Sequence, residues 1–194
     1  MNTKVVPMFH KIKVYLKIIA TFPSYLFWKV VYLFKKDKRR FTRKPFVHRG
    51  YAYKIFDWQY RERHVFHVVD NINKPTLKDI KKVHRWVLTN FKYIPDKGKD
   101  YWETSDEVIQ KGGADCEGLA ALMMRKLREL GIPDEKLGIC IIPRHAFATY
   151  WYKDDDFYIL DNGYMTYHVV KASEFSWKKG EPLCGFNLSD VWSF

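Results

Sequence analysis

The spacing of the apolar residues changes abruptly at Gly131, and this change limits how the chain can fold. Before Gly131, apolar residues recur at three- and four-residue steps, which predicts a helix that begins beside Cys116. Gly131 and Pro133 are typical of a helix end. Beyond Pro133 the period becomes two, which is typical of strands. The predicted strands cover residues 137–142, 146–152 and 157–160.

Two capping patterns mark helices in the middle of the chain. Thr76 is predicted to cap a helix with a three- and four-residue apolar period. Residues 104–107 (TSDE) form a capping box that begins a short helix, and Gly112 and Gly113 end it. His84 falls outside the apolar stripe of the first of these helices, so we expect it to be exposed. We expect residues 45–60 to be extended, 61–69 to form a strand and 90–102 to form a loop.

The composition favours one folded domain. The 194 residues are 47% apolar and 18% aromatic, which excludes global disorder and allows a core without covalent cross-links. Three cysteines with no C-x-x-C pair exclude a disulfide scaffold and argue against a structural zinc site. We divide the chain into a basic apolar arm, residues 1–50, and a folded domain, residues 51–194.

The net charge of +12 is concentrated in the arm. Residues 1–50 contain 13 basic side chains and one acidic side chain, so they account for the whole excess. The remaining 144 residues contain 21 basic and 21 acidic side chains and are neutral. A neutral domain argues against nucleic acid as a partner, and a basic run such as 35–44 is most often a solvated surface.

The arm joins an apolar stretch, residues 14–34, to the basic run 35–44, and it has four interpretations. A cleaved signal peptide is disfavoured because the apolar stretch is long and lacks a small-residue cleavage site. A membrane-spanning anchor has a suitable length, but Lys17, Pro23 and Lys29 disfavour it. An interfacial helix beside an anionic membrane or envelope surface fits, as does docking onto a protein scaffold or onto the domain itself. We expect a location at a membrane or envelope, or in a virion.

Cys116, His145 and Asp161 are the candidate catalytic residues. Cys116 opens a helix directly after a glycine pair, and a helix N-terminus favours a thiolate and presents amide donors. His145 begins one predicted strand and Asp161 follows the next. Antiparallel pairing about a turn near residue 154 brings them within a few residues of each other across the hairpin. A carboxylate in that position orients an imidazole that activates a thiol. Cys140 and Cys184 have no comparable setting.

At these residues the chain resembles the bacterial transglutaminase-like cysteine proteinases. The resemblance starts with residues 100–139, which contain D-Y-W-x-T and G-G-x-D-C-E. It continues through residues 144–152 (RHAFATYWY) and 158–163 (YILDNG) in the order typical of the family. Together these segments cover under half of the chain.

The resemblance implies an α+β fold with a papain-like or transglutaminase-like core. The nucleophile then lies at a helix N-terminus packed on an antiparallel sheet, with the basic arm as an addition. Carried over to this chain, Cys116 is the nucleophile, His145 the general base and Asp161 the orienting acid. Trp102 lies in the matching motif and is a candidate for lining the substrate groove, with packing in the core as the alternative.

The resemblance also bears on whether the chain binds calcium. Some members use acidic residues around the cysteine in a D-C-E-D pattern as calcium ligands. Asp115 and Glu117 match that pattern, but Gly118 replaces the last aspartate and removes an oxygen ligand. We therefore expect no cofactor, with calcium as the weaker alternative. Without calcium, Asp115 and Glu117 are expected to act as a helix cap and a first-turn acid.

These features predict a cysteine peptidase that hydrolyses a protein or peptide amide bond through a thioester acyl-enzyme. Three alternatives remain open. They are hydrolysis of peptidoglycan peptides at the cell envelope, for example by an enzyme carried on a phage particle; acyl transfer of the transglutaminase type; and an inactive adaptor that docks through its arm.

Overall fold

A computed structural model describes residues 8–33, 39–65, 75–98 and 100–194. Three helices come first, two short strands then alternate with helices up to residue 129, and strands dominate the end. The helices are α1 (Met8–Leu33), α2 (Arg49–Val65), α3 (Leu77–Asn90), α4 (Ser105–Lys111) and α5 (Cys116–Glu129). The strands are β1 (Lys92–Tyr93), β2 (Gly113–Ala114), β3 (Leu137–Ile142), β4 (His145–Lys153), β5 (Asp156–Leu160), β6 (Val170–Lys171), β7 (Cys184–Phe186) and β8 (Val191–Ser193).

An antiparallel sheet of six strands, in the order β6-β5-β4-β3-β7-β8, forms the centre of the fold. Its three longest strands are the three predicted from the period-two pattern. In β4 and β5, Ala148 pairs with Leu160 and Thr149 with Ile159, so the predicted hairpin register is correct. Helix α5 packs against β3 and β4 and buries the apolar stripe that includes Leu119, Met123 and Leu127. The expected α+β class, with Cys116 at a helix start beside an antiparallel sheet, is confirmed.

Both predicted capping boxes are present. Thr76 caps α3 with Asp79 as its reciprocal partner, and Thr104 caps α4 with Glu107. Each pair satisfies amide donors that a helix start otherwise leaves without partners. The sequence pattern alone therefore locates the beginnings of α3 and α4.

A short parallel pair, β1 and β2, lies just before the cysteine and was expected as part of a loop. Lys92 pairs with Gly113 and Tyr93 with Ala114. A Cβ atom at Gly113 would lie 2.2 Å from the carbonyl oxygen of Lys92, so this close approach of two backbones requires glycine. The pairing sets the direction of the chain as it enters α5.

The prediction of an extended segment and a strand over residues 45–69 is wrong for residues 49–65. Residues 49–65 form α2, and residues 66–69 lie outside the described residues. Ile55 and Trp58 are buried at helical spacing, and Glu62 continues the same face. This helix is hard to recognise because exposed aromatic residues, such as Tyr53, also occupy its outer face and obscure the period.

The arm contributes helix α1 and an extended segment that reaches the sheet. Helix α1 packs against α3. Farther along, Lys44 and Ser193 exchange two backbone hydrogen bonds of 2.9 Å, and Phe41 is buried among aromatic residues of the sheet. None of the helices in the described ranges combines the length and the hydropathy needed to cross a membrane.

Candidate active site

Cys116 is the first residue of α5, and its sulfur lies against strand β4. Its side chain is buried, and the backbone N–H of Ala146 lies near the sulfur, where it favours the thiolate. Ala146 directly follows His145, so the contact brings the thiol beside the histidine strand. Asp115 precedes the helix but makes no side-chain capping hydrogen bond, contrary to its expected role as a cap. The first amides of α5 are thus not occupied by that carboxylate.

His145 and Asp161 form a direct pair on neighbouring strands. Nε2 of His145 lies 2.5 Å from Oδ1 of Asp161, and both side chains are buried. Nδ1 is therefore the ring nitrogen available for proton exchange with a thiol. The other carboxylate oxygen, Oδ2, accepts hydrogen bonds from the backbone N–H groups of Gly163, Met165 and Thr166 at 2.6–3.1 Å. These donors hold the carboxylate plane in place.

The thiol of Cys116 is protonated in this arrangement. Its sulfur donates a hydrogen bond to Oε2 of Glu117 at 2.9 Å. Burial and the adjacent Glu117 carboxylate raise the pKa of the thiol well above its ordinary value. The negative charge next to Cys116 therefore opposes the helix N-terminus, which on its own favours a thiolate.

Three aspartate side chains, including that of Asp115, lie close together in the folded chain. Carboxylate oxygens of Asp96, Asp100 and Asp115 all lie within 4.8 Å of one another. Oδ1 of Asp115 is buried without a hydrogen-bond partner. Burial, followed by the charge of Glu117, raises the pKa of Asp115 to about 8. A divalent cation binds favourably at such a site because it offsets the repulsion between the carboxylates and gives the buried oxygen a partner.

Gly118 is tightly enclosed, and an acidic neighbour lies where its side chain would be. A Cβ atom there would meet the Cβ of Ala114 at 2.5 Å and Oε2 of Glu103 at 3.2 Å. That Oε2 atom is itself buried without a hydrogen-bond partner, while Oε1 of Glu103 pairs with Lys111. Glu103, just before α4, thus places a carboxylate oxygen next to the position at which the D-C-E-D pattern has its last aspartate.

Trp102, the candidate substrate-binding residue, lies in the core. Only 4% of it is exposed, and its ring stacks on Phe186 with centroids 5.5 Å apart. This placement favours the packing role over contact with a substrate. The thiols of Cys140 and Cys184 are buried within strands β3 and β7, as expected for residues outside the site.

His84 is buried, and the expectation that it is exposed is wrong. Its Nε2 lies 2.6 Å from the backbone carbonyl oxygen of Asp161, where it donates a hydrogen bond. Burial lowers its pKa to about 4, so the ring is neutral near pH 7. Position 84 lies one residue from the apolar stripe at Val83 and Val87. The sequence pattern does not show whether a polar residue next to an apolar stripe contacts a buried group or solvent.

Tyr164 is a second contact that the sequence did not reveal. Its ring lies against His145 with centroids 4.5 Å apart, and Lys179 sits 3.6 Å above the centroid of the same tyrosine. Tyr164 is 45% exposed, so it forms the outer cover of the imidazole. A half-exposed aromatic residue in a loop has no periodic pattern that would identify this role.

Comparison with known proteins identifies the same fold elsewhere. The family model of the transglutaminase-like superfamily matches residues 64–167, which is more than half of the chain. A search of curated proteins finds no significant match.

Solved structures of LapG from Legionella pneumophila are similar to this chain. The EGTA-treated form is 26% identical, with a TM-score of 0.56, and the match covers 63% of this chain and 69% of LapG. A second LapG structure is 26% identical with a TM-score of 0.55, covering 62% and 70%. The calcium-bound form, 21% identical with a TM-score of 0.56, covers 71% of this chain and 87% of LapG and reports on the fold alone.

Proposed function

This chain belongs to the transglutaminase-like superfamily, and from that premise we propose that it is a cysteine peptidase. In this proposal it hydrolyses a protein or peptide amide bond through a thioester acyl-enzyme, with Cys116 as nucleophile, His145 as general base and Asp161 as orienting acid. The observation that carries the proposal is the 2.5 Å pair between His145 and Asp161, one residue from the backbone N–H that touches the Cys116 sulfur.

The first half of the reaction forms the acyl-enzyme. Nδ1 of His145 takes the thiol proton of Cys116, and the sulfur attacks the substrate carbonyl carbon. For this step the thiol must turn from Glu117 toward the imidazole, a rotation about a single side-chain bond. The amide of Cys116 at the start of α5 donates to the oxyanion that develops. The carbon–nitrogen bond then breaks, and the imidazolium of His145 protonates the leaving amine.

The second half releases the product. His145, neutral again, takes a proton from water, and the hydroxide attacks the thioester carbon. The carbon–sulfur bond breaks, and the proton returns from His145 to the Cys116 sulfur. Asp161 keeps Nε2 protonated throughout, so that Nδ1 remains the base. Its three backbone donors keep its negative charge directed at the ring.

A thiol-directed probe tests the proposed nucleophile. A peptide vinyl sulfone incubated with the full chain is expected to modify Cys116 selectively, as located by mass spectrometry. Cys116→Ala is expected to abolish labelling and hydrolysis of a labelled protein substrate, a loss of at least about 10⁴-fold. Cys140→Ala, which removes a buried thiol elsewhere in the sheet, is the matched control and keeps both. Equal labelling of the wild type and Cys116→Ala would show that the probe does not react selectively with Cys116, which contradicts its proposed role as the nucleophile.

We also propose that the acidic cluster holds calcium, which revises the expectation of no cofactor. That expectation considers only the D-C-E-D pattern and not the residues that folding brings to Asp115. Asp96, Asp100 and Asp115 would supply carboxylate oxygens, the ligands that calcium prefers. A bound cation would offset the negative charge beside Cys116 and so favour its thiolate.

Thermal unfolding with and without calcium tests the cluster independently of activity. Saturating calcium is expected to raise the midpoint by about 5–10 °C over the protein in EGTA. Asp115→Asn is expected to lose most of this shift. Asp154→Asn, a change at an exposed carboxylate in the β4–β5 turn, is expected to keep it. An identical midpoint in calcium and EGTA contradicts the calcium proposal and leaves the peptidase proposal in place.

A further inference from the structure

One face of α1 presents large apolar side chains to solvent along much of the helix. Five of them that share one side of the helix have 45–80% of their surface exposed. They are Phe9, Ile12, Leu16, Ile19 and Leu26. They recur at three-, four- and seven-residue steps, so they share one side of the helix. A folded domain rarely leaves so large a continuous apolar surface without a partner for it.

The opposite face of α1 is already fixed to the domain. Nε2 of His10 lies 3.1 Å from the carbonyl oxygens of both Leu88 and Phe91 at the end of α3. Val14 is buried in the main core. Farther along, Oγ1 of Thr21 lies 3.0 Å from Nε2 of His168. These contacts orient the helix, so its apolar face points away from the domain.

The charge of α1 indicates what covers that face. The helix contains four lysines and no acidic residue. Lys13 is exposed near its start, and Lys11 is partly buried. Residues 1–50 carry the whole net charge of +12. A partner with an apolar interior and a negative surface complements both features at once.

We propose that the outer face of α1 binds the surface of an anionic lipid bilayer. The helix lies in the interface with Leu16 and Ile19 inserted among the acyl chains, and the exposed Lys13 contacts the anionic headgroups. The domain remains in water, because the contacts of His10 and Thr21 hold the helix against it. A second copy of this chain is a poor occupant by comparison, because it would bring two strongly positive arms together.

The same contacts fix the position of the site relative to the bilayer. The loop that follows Asp161 supplies the donors to its carboxylate, and α1 touches the end of that loop. Lys17 donates to the hydroxyl of Tyr167 at 2.9 Å, and Thr21 contacts His168. A chain bound through α1 therefore carries Cys116 at a constant distance from the membrane surface.

Vesicle co-sedimentation with the full chain tests the proposal. The wild type is expected to bind phosphatidylcholine vesicles that contain about one third phosphatidylglycerol, and to bind pure phosphatidylcholine at least about tenfold more weakly. Added salt is expected to weaken binding to the anionic vesicles. The double variant Leu16→Gln/Ile19→Gln is expected to bind them at least about tenfold more weakly than the wild type. Both positions are exposed, so the fold is retained, and thermal unfolding checks this.

The matched control changes two exposed aromatic residues on another helix. Tyr53→Gln/Phe56→Gln on α2 is expected to bind vesicles like the wild type. The proposal is overturned if the wild type ignores anionic vesicles, if it binds both vesicle types equally, or if Leu16→Gln/Ile19→Gln leaves binding unchanged. It is also overturned if sedimentation without lipid shows a dimer that this double variant converts to a monomer. In that case a second copy covers the face.

Discussion

Helix α5 and helix α1 both carry abundant apolar residues, yet they use them differently. In α5 the apolar side chains, from Leu119 to Leu127, are buried against the sheet. In α1 only Val14 is buried among the described apolar side chains, and side chains such as Leu16 face solvent. The burial of apolar area stabilises α5 within the domain. The apolar area of α1 remains available for a partner outside the chain.

The proposed catalytic residues and the proposed membrane-binding face therefore lie in different parts of the fold. The residues that set the geometry of the site, including His145 and Asp161, are held by the buried sheet. Helix α1 touches the loop after Asp161 through Lys17 and Thr21. Changes within the sheet should therefore alter catalysis and stability strongly, and changes on α1 should alter them little. Three experiments test this contrast.

The largest effect is expected from Asp161→Asn. The amide oxygen can still accept the backbone hydrogen bonds, so the amide nitrogen then faces Nε2 of His145. Nε2 becomes an acceptor, the proton moves to Nδ1, and the ring can no longer take the thiol proton. We expect kcat to fall by about 10⁴-fold. Vesicle binding by α1 should not change, and a parallel loss of binding would show that site and helix are not separate.

A pair of alanine substitutions compares the two helices directly. Leu127→Ala removes a fully buried side chain from α5 and is expected to lower the free energy of unfolding by about 3 kcal/mol. Val14→Ala acts where α1 meets the domain and is expected to lower it by about 1 kcal/mol. Denaturant titration measures both values. Equal losses would mean that Val14 stabilises the fold as much as a fully buried side chain of α5 does, which contradicts the expected difference between the two helices.

The third effect is a pH dependence that arises at His84. Its pKa is about 4 in the folded chain and near 6.5 when unfolded. The unfolded chain therefore binds a proton first as the pH falls. The stabilisation is complete above pH 6.5, and about 3 kcal/mol is lost between pH 6.5 and 4. Nearby charges from Asp161, His168 and Arg85 contribute less than burial.

His84→Gln isolates this contribution. The amide keeps a donor for the carbonyl oxygen of Asp161 but does not titrate. Unfolding free energies of the wild type and the variant, measured from pH 7 to 4, should diverge in slope, with the variant less sensitive to pH. Parallel slopes would mean that His84 is accessible to protons in the folded chain.

Local patterns in the sequence were sufficient for much of the fold. The boxes at Thr76 and Thr104, the helix start at Cys116 and the β4–β5 register all follow from contacts a few residues apart along the chain. Helix α2 escaped prediction because its exposed aromatic residues hide the buried pair of Ile55 and Trp58. The membrane or virion location and the boundary at residue 50 remain predictions.

The sequence alone does not show which acidic side chains surround Cys116 in the folded chain. The sequence by itself determined which residues are available for chemistry and which strands carry them, because helix caps, turns and period-two strands depend on near neighbours. Only the tertiary structure decided that Glu103 fills the space beside Gly118 and that His84 binds the backbone of Asp161. Glu103 lies just before α4 and Gly118 lies within α5, and His84 and Asp161 lie 77 residues apart. Both contacts exist because burial brings polar groups together and makes each of them require a partner, which no local pattern records.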